Sequence, residues 1–323
     1  MLQFLSDPTQ LPDIRSMRPH GIMFHHFHSA GHAQGQGSLS ADELAAIIEQ
    51  VGPSRILPAR QWVQSALSAT LKPDDVCLTF DDNLRCQYDV ALPVLQAYGL
   101  TAFWFVYTSV CQGQIERLEI FRQFRTTCFA TIDDFYLSFF AEIERSADRE
   151  AFRGAMAAFQ PQSYLRAYPF YSDSDRRFRF VRDEVLGPAR YTDAMNRMIA
   201  RSDMNVGSAA NGLWMGRVEL QALHRAGHVI GLHSHSHPTR LERLPAEAQR
   251  SEYQQNSDYL TSILGVPPRT MSHPCNSYNR QTLSILRELG IVLGFRANMQ
   301  PAARSELEYP REDHANLVRA MAA

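Results

Sequence analysis

Residues 76–107, VCLTFDDNLRCQYDVALPVLQAYGLTAFWFVY, form the stretch that decides the fold. The stretch begins with an apolar run at residues 76–80 and ends with another at 101–107, and both are rich in the β-branched and aromatic residues typical of buried strands. Between them, residues 89–98 have a helical pattern that stops at Gly99. We therefore predict a compact βαβ unit with two parallel strands.

The alternation of short apolar runs with helical patterns continues on both sides of this unit. On the amino-terminal side, residues 21–27 predict a strand, and Ser40 with Glu43 predicts a capping box for a helix that runs to about residue 50. On the carboxy-terminal side, helices are predicted at residues 217–226, 246–264 and 279–289, and strands at 228–232, 269–272 and 291–295. Repeated βα units of this kind indicate an α/β fold with a parallel sheet.

Residues 109–211 interrupt this pattern. The alternation disappears there and long amphipathic stretches such as residues 132–159 take over, so we predict a mainly helical insertion. The length of 323 residues fits one α/β barrel of about 250 residues together with an insertion. We expect a barrel over residues 20–300, interrupted by the insertion, and a polar C-terminal segment at 301–323.

The composition excludes several classes of protein. With 45% hydrophobic and 20% charged residues the chain is globular rather than disordered. Its 32 basic and 34 acidic residues give a formal net charge of −2, without the basic patch expected of a nucleic-acid-binding protein. The first residues lack the pattern of a secretory signal, and no run reaches the roughly 18 apolar residues of a membrane span. Five cysteines without a CxxC pair favour a reducing compartment, so we expect a soluble cytoplasmic protein.

Polar clusters follow three of the predicted strands, and side chains at the carboxyl ends of parallel strands converge in space. Asp81 and Asp82 come directly after the strand at residues 76–80. Two adjacent carboxylates can point in different directions, so that one binds a cation while the other accepts a proton. The alternative is that they only begin the loop or cap the next helix.

Three histidines, His233, His235 and His237, follow the strand at residues 228–232. Residues two or four positions apart share a face of an extended chain, so two or three imidazoles can meet at one point. Imidazole is the commonest neutral ligand of zinc and related metals, and two histidines with one carboxylate leave an open position for water. This spacing predicts a metal site, against the alternative of surface histidines.

Two further clusters have weaker patterns. The loop at residues 271–279, MSHPCNSYN, precedes a helix, where backbone amides can stabilise an oxyanion or where a Ser or Asn side chain simply caps the helix. At the first strand, His25, His26, His28 and His32 lie close in sequence, and strand alternation sends His25 and His26 to opposite faces. One of these histidines is a candidate general acid, and surface histidines or a further metal contact are the alternatives.

Together these motifs resemble the polysaccharide deacetylase family, the NodB-type domain of carbohydrate esterase family 4. LTFDDN at residues 78–83 is similar to its TFDDG motif, and GHVIGLHSHSHP at 227–238 is similar to its G-x-x-I-G-x-H-[ST]-x-x-H-P motif. SHPCNSYN at 272–279 resembles the third motif, RPPYGSYN, and GIMFHHF at 21–27 resembles the first strand of one subgroup. The similarity covers the chain outside the insertion, and the first two motifs are its specific part.

The resemblance implies a distorted (β/α)7 barrel and a metal-dependent amide hydrolase. Carried over residue by residue, it implies that Asp82, His233 and His237 hold one divalent metal ion. Zn2+ is the first expectation, with Co2+, Ni2+ and Mn2+ as alternatives. The same comparison makes Asp81 the general base and places His235 at a variable position of the motif, so His235 is not counted as a ligand.

By the same comparison His25 is the candidate general acid, and the backbone amide of Cys275 is the candidate oxyanion donor. Cys275 stands where the family usually has an aromatic residue, and Asn83 stands where it usually has glycine. These two departures put recognition of an ordinary chitin-like chain in question.

A third departure concerns the base. Ser272 replaces the arginine that usually pairs with the base carboxylate in the family. Residues 309–313, YPRED, resemble a Pro-Arg-x-Asp element of related deacetylases. Arg311 is therefore the candidate for the missing positive charge beside Asp81, and a solvated charged tail is the alternative.

The resemblance further implies that the chain hydrolyses the amide of an N-acylated sugar to an amino sugar and a small carboxylate such as acetate or formate. Because the sequence lacks an export signal, we expect the substrate to be a nucleotide- or lipid-linked precursor of surface polysaccharide (O-antigen-like) biosynthesis. Beyond the sugar, we expect at most a peripheral contact with glycan-assembly proteins. Two alternatives stay open: a non-catalytic metal-binding relative, which Ser272 motivates, and a metal hydrolase that acts on non-sugar amides or phosphate esters.

Overall fold

The computed structural model of the chain describes residues 18–166, 171–300 and 305–322. Within this part, seven strands form one parallel sheet. They are β1 (His20–Phe24), β2 (Val76–Asp81), β3 (Phe103–Val106), β4 (Val229–Leu232), β5 (Thr270–Ser272), β6 (Leu293–Phe295) and β7 (Arg311–Asp313). Hydrogen bonds join them in the order β6-β5-β4-β3-β2-β1-β7, and each neighbouring pair is parallel.

The sheet curves into a nearly closed barrel whose edge strands are β6 and β7. The segment before β7 runs alongside β6. The amide of Gly294 donates to the carbonyl of Glu306 at 2.8 Å, and the amide of Tyr309 donates back to the carbonyl of Gly294 at 2.9 Å. A parallel bridge also joins Phe295 to Tyr309. The distorted (β/α)7 barrel predicted from the sequence is confirmed.

Alternation along the strands divides their side chains into two sets. The outward side chains pack against the helices, and on β2 these are Val76, Leu78 and Phe80. The inward side chains fill the barrel interior, and they include Cys77, Phe103, Phe105, Leu293 and Phe295. Gly231 leaves room for this filling, because a Cβ atom there would lie 2.7 Å from the ring of Phe105. Burial on both faces explains the nearly continuous apolar runs of these strands.

Thirteen α-helices lie in the described residues. They are α1 (Ala41–Val51), α2 (Ala59–Leu67), α3 (Leu92–Ala97), α4 (Arg117–Thr127), α5 (Ile132–Glu144), α6 (Arg149–Ala158), α7 (Asp173–Phe180), α8 (Gly187–Ala200), α9 (Val206–Ala210), α10 (Arg217–Arg225), α11 (Ala246–Leu264), α12 (Arg280–Glu288) and α13 (His314–Met321). The capping box predicted for α1 is confirmed: Ser40 Oγ accepts from the Glu43 amide at 3.2 Å, and Glu43 Oε2 accepts from the Ser40 amide at 2.7 Å. None of the described helices has both the length and the apolar character that a bilayer span needs.

The chain divides into two compact units. One comprises the described residues of Met1–His32, Ser38–Gln114 and Trp214–Ala323, and the other comprises Ala33–Gly37 and those of Ile115–Leu213. The second unit contains α4 to α9, which enclose their own apolar cluster. The amphipathic stretch at 132–159 forms two helices, α5 and α6.

The strand β7 is absent from the sequence-based expectation, which ends the barrel at residue 300. The boundary at residue 301 itself lies outside the described residues, but β7 pairs with β1 through Gly21 to Met23. The sequence Arg-Glu-Asp of β7 has no apolar alternation. Its first side chain, Arg311, lies inside the barrel and pairs there with the carboxylate of Asp81. The expected barrel therefore stops one strand too early.

Candidate active site

The inward rows of three strands end in polar side chains at the carboxyl edge of the sheet. On β2 the row Cys77, Thr79 and Asp81 carries a carboxylate to this edge, and the same alternation carries His25 there after β1 and His233 there after β4. Because the strands are parallel, these ends meet at one mouth of the barrel.

Asp81 forms a buried ion pair with Arg311. Two guanidinium N–H groups of Arg311 donate to the two carboxylate oxygens of Asp81, each at 2.7 Å, and the Ser272 hydroxyl donates to Asp81 Oδ2 at 3.1 Å. Arg311 is 1% exposed and Asp81 is 2% exposed. The alternative of a solvated tail is therefore wrong for Arg311, whose guanidinium supplies the positive charge that Ser272 lacks.

The rest of the Arg311 side chain is fixed inside the barrel. Its Nε donates to the carbonyl of Arg296 at 2.9 Å, and one of its terminal nitrogens donates to Thr79 Oγ1 at 3.2 Å. The aliphatic part passes Gly21, where a Cβ atom would lie 3.1 Å from Arg311 Cγ. Glycine at position 21 thus makes room for the side chain that reaches the carboxylate of Asp81.

This pairing determines the protonation state of Asp81. Burial alone would raise the pKa of the carboxyl group, but the charge of Arg311, then the charge of His233 and the hydrogen bond from Arg311, outweigh it. The pKa of Asp81 consequently lies below its ordinary value. The carboxylate is ionised at neutral pH and able to accept a proton.

Asp82, His233 and His237 converge beside Asp81. One potential ligand atom of each lies within 4.8 Å of the others, and the Nε2 atoms of both histidines lie 3.3 Å from Asp82 Oδ1. Asp82 Oδ1 is buried and has no hydrogen-bond partner among the described residues. A buried carboxylate oxygen left in this state is costly, and a divalent cation between the oxygen and the two imidazoles would satisfy it.

The tautomer of His233 suits a metal ligand. Its Nδ1 lies 2.9 Å from the carbonyl oxygen of Ser272, so we assign the proton to Nδ1, which leaves the Nε2 lone pair on the side of Asp82. Burial would raise the pKa of Asp82, but the positive charges that His237, His25 and His233 carry when protonated hold it well below its ordinary value. His235 has a different partner, because its Nδ1 lies 3.0 Å from Thr108 Oγ1.

His25 lies at the same mouth of the barrel. Its Nε2 is 3.8 Å from Asp82 Oδ2, and its side chain is 30% exposed, so substrate can reach it. The buried Gln87 joins the ends of β1 and β2, because its Nε2 donates to the backbone carbonyls of His25 at 2.8 Å and Asp81 at 2.6 Å. Sequence reasoning missed Gln87, and a single glutamine outside any motif gives no signal of such a bridge.

Cys275 lies exposed in the short turn Pro274–Asn276 after β5, with a left-handed backbone at φ 50° and ψ 23°. The role of its amide as an oxyanion donor stays a prediction. Two of the remaining first-strand histidines have local partners, since His28 Nδ1 lies 3.0 Å from Ser38 Oγ and His32 Nε2 lies 3.0 Å from an oxygen of Asp89.

The sequence profile of the polysaccharide deacetylase family matches residues 186–294, which include the histidine loop and the segment 272–279. This match covers about a third of the chain, which over that segment is similar to the polysaccharide deacetylase family. No curated protein sequence matches the chain.

Several solved structures share the fold. The deacetylase PplD of Streptococcus pyogenes, solved in complex with acetate, is 17% identical, with a TM-score of 0.55 over 95% of this chain and 99% of that chain. IcaB from Ammonifex degensii is 14% identical, with a TM-score of 0.51 over 91% of each chain. A de-N-acetylase from Aggregatibacter actinomycetemcomitans is 12% identical, with a TM-score of 0.51 over 91% of this chain and 94% of that chain. At these identities the likeness concerns the fold alone.

Proposed function

We propose that this protein is a metal-dependent N-deacylase that hydrolyses the amide of an N-acylated sugar. The observation that carries the proposal is the juxtaposition of two groups at one barrel mouth. One is the set Asp82, His233 and His237, whose ligand atoms lie within 4.8 Å of one another. The other is the neighbouring Asp81, held as a carboxylate by Arg311.

The donor set favours a zinc-type metal. Two neutral imidazoles and one carboxylate are common ligands of Zn2+ in catalytic sites, where a further position stays open. Co2+, Ni2+ and Mn2+ are the alternatives that metal analysis would distinguish. When bound, such an ion supplies Lewis acidity toward a carbonyl oxygen and lowers the pKa of a water molecule.

Asp81 is the proposed general base. It is ionised, adjacent to the metal ligands and fixed by a bidentate ion pair, so it can take the proton of the attacking water without moving. Its low pKa makes it a modest base in strength, but the protonation state that the reaction needs is always present at neutral pH. Arg311 is a positioning residue in this scheme, because it holds Asp81 and stabilises its charge.

His25 is the proposed general acid. It lies at the barrel mouth, it is partly exposed, and its backbone is held beside that of Asp81 by Gln87. From there an imidazolium can protonate the departing amine. The amide of Cys275, in the turn that precedes α12, is the proposed donor to the oxyanion of the tetrahedral intermediate.

The departures in the motifs argue against an ordinary chitin-like chain as the substrate. Asn83 is buried and its side chain donates to the carbonyl of Met215 at 3.1 Å, while the exposed Cys275 replaces the usual aromatic side chain. We propose a nucleotide- or lipid-linked N-acyl sugar in the cytoplasm as the substrate, in a pathway of surface polysaccharide synthesis. Assays that offer such precursors beside N-acetylated oligosaccharides would distinguish a precursor from a polymer.

The non-catalytic alternative is motivated by Ser272, which lacks the charge that the base needs. The ion pair between Arg311 and Asp81 supplies this charge from another strand, so the motive for that alternative is removed.

Metal analysis of purified protein tests the proposal. Wild-type protein should contain stoichiometric divalent metal, and Asp82→Ala and His233→Ala should lose it while remaining folded. Wild-type protein that takes up no metal after incubation with Zn2+ would overturn the proposal. Metal-loaded protein that releases no acid from any N-acylated sugar would support the non-catalytic alternative instead.

A further inference from the structure

The loop between the two metal-ligating histidines has an unusual backbone. Ser234 and His237 are both in the left-handed region, at φ 62° and φ 54°. A non-glycine residue there costs of the order of 1 kcal/mol, so neighbouring groups must hold the loop in place. The conformation places His233 Nε2 and His237 Nε2 at equal distances from Asp82 Oδ1.

One face of α11 lies against this loop. Asn256 and Glu252 are one turn apart and therefore point the same way. Asn256 fixes the beginning of the loop, because its Oδ1 accepts from the His233 amide at 3.0 Å while its Nδ2 donates to the carbonyl of Val106 at 2.9 Å. Asn256 is fully buried.

Glu252 fixes the middle of the loop. Its Oε2 accepts from the backbone amides of His235 at 2.9 Å and Ser236 at 2.8 Å, and its Oε1 accepts from the Ser236 hydroxyl at 2.6 Å. Hydrogen bonds to an ionised acceptor are about twice as strong as neutral ones. A carboxylate that binds two consecutive amides also prevents rotation of the peptide plane between them.

We propose that Glu252 is a positioning residue that presets the histidine loop for metal binding, although it does not itself ligate the metal. The proposal rests on the function proposed above, because it takes His233 and His237 as ligands. Without Glu252 the amides of His235 and Ser236 must find water, and His237 is free to leave the geometry that a metal requires. Residues that orient metal ligands in this way typically contribute a factor of about 10–100 in metal affinity.

Glu252→Ala tests the proposal through the dissociation constant for Zn2+, measured by competition with a chromophoric chelator. We expect binding about 10–100-fold weaker than in the wild type. Glu252→Gln should restore most of the affinity, since an amide oxygen can still accept from both loop amides. At saturating Zn2+ the kcat of Glu252→Ala should return close to that of the wild type, because Asp81 and Arg311 are unchanged.

The matched control is Glu247→Ala. Glu247 is an exposed glutamate on the same helix, so its replacement removes the same charge without affecting the loop contacts. It should bind Zn2+ as the wild type does. Equal weakening in both variants would identify a general charge effect and overturn the proposal, as would a Glu252→Ala protein with wild-type affinity. If Glu252→Ala does not fold, Ser236→Ala removes only the hydroxyl contact and should still weaken binding several-fold, and unchanged affinity in that variant would contradict the proposal.

The same titration separates this proposal from the function on which it rests. Wild-type protein that binds no Zn2+ would defeat both. Wild-type protein that binds Zn2+, loses it in His233→Ala and keeps it in Glu252→Ala would defeat the role of Glu252 alone.

Discussion

Replacing Arg311 with methionine removes the cation bound to Asp81 and leaves a side chain of similar length. Asp81 then keeps the Ser272 hydroxyl as a donor, but it is a carboxylate with 2% exposure and no counter-charge from Arg311. Removing one partner of a buried ion pair costs about 3–5 kcal/mol, because the remaining charge stays desolvated. We expect Arg311→Met to lower the free energy of unfolding by about this amount at neutral pH.

The pH dependence of this loss has a definite sign. In the wild type the pKa of Asp81 is lowered, so its contribution to stability is present above the unfolded pKa and is lost as the pH falls through the folded pKa. In Arg311→Met burial dominates and raises this pKa above the unfolded value. The folded state of the variant is then most stable at low pH, where Asp81 is protonated. It loses stability as the pH rises past about 4, the ordinary pKa of a carboxyl group. The difference in the free energy of unfolding between the wild type and Arg311→Met therefore increases from acidic to neutral pH.

Urea unfolding at several pH values measures this gap. A double-mutant cycle with Asp81→Asn separates the ion pair from the other hydrogen bonds of Arg311. The double variant should recover most of the lost stability, since no unpaired charge remains, although it should be inactive. Two results would refute the reasoning. One is a loss in the free energy of unfolding below about 1 kcal/mol, which is the range of an exposed ion pair. The other is a loss that the additional substitution Asp81→Asn does not relieve. In activity assays the acidic limb of the pH–rate profile of Arg311→Met should move to higher pH.

Three further predictions concern other parts of the barrel and its site. Burial lowers the pKa of His228 from 6.5 to about 4. Stability should therefore fall by about 3 kcal/mol as the pH drops from 6.5 toward 4, and urea unfolding of His228→Gln should lack this part of the pH dependence. Gly231→Ala places a methyl group 2.6 Å from a threonine oxygen and 2.7 Å from an aromatic ring, so thermal unfolding should show a loss of about 1–3 kcal/mol; Gly154→Ala, in an exposed helix with no atom near the added methyl, should show none. His235→Ala should retain stoichiometric metal in elemental analysis while His233→Ala loses it, and loss in both would show that the ligand set is wrong.

Periodicity predicted most of the barrel because the strands are buried on both faces. Their apolar runs are short and bounded by glycines and caps, as at Gly99 before β3 and at Ser40 before α1. The same alternation carries Asp81 and His25 to one mouth of the barrel, since both continue inward rows of the neighbouring strands β2 and β1. This much needs only local rules.

The contacts that complete the site depend on register between distant segments. β7 has a polar sequence because Arg311 points inward to Asp81, and the motif resemblance suggested the residue without suggesting a strand. Gln87 and Glu252 form hydrogen bonds with backbone groups of distant residues. Such hydrogen bonds can be made to any residue type, so they leave no pattern in the sequence. For this reason the sequence predicted the proposed metal ligands more readily than the groups that hold them in place.

The release of acid from an N-acylated sugar by metal-loaded protein tests the central claim most directly. Wild-type protein should release the carboxylate and leave a free amine, and the release should stop after chelation and resume when Zn2+ is restored. Asp81→Asn should bind the same amount of metal and release acid at least a hundredfold more slowly, as expected for loss of a general base (about 10²–10⁴-fold). Acid release that survives chelation, or proceeds equally fast in Asp81→Asn, would contradict the account.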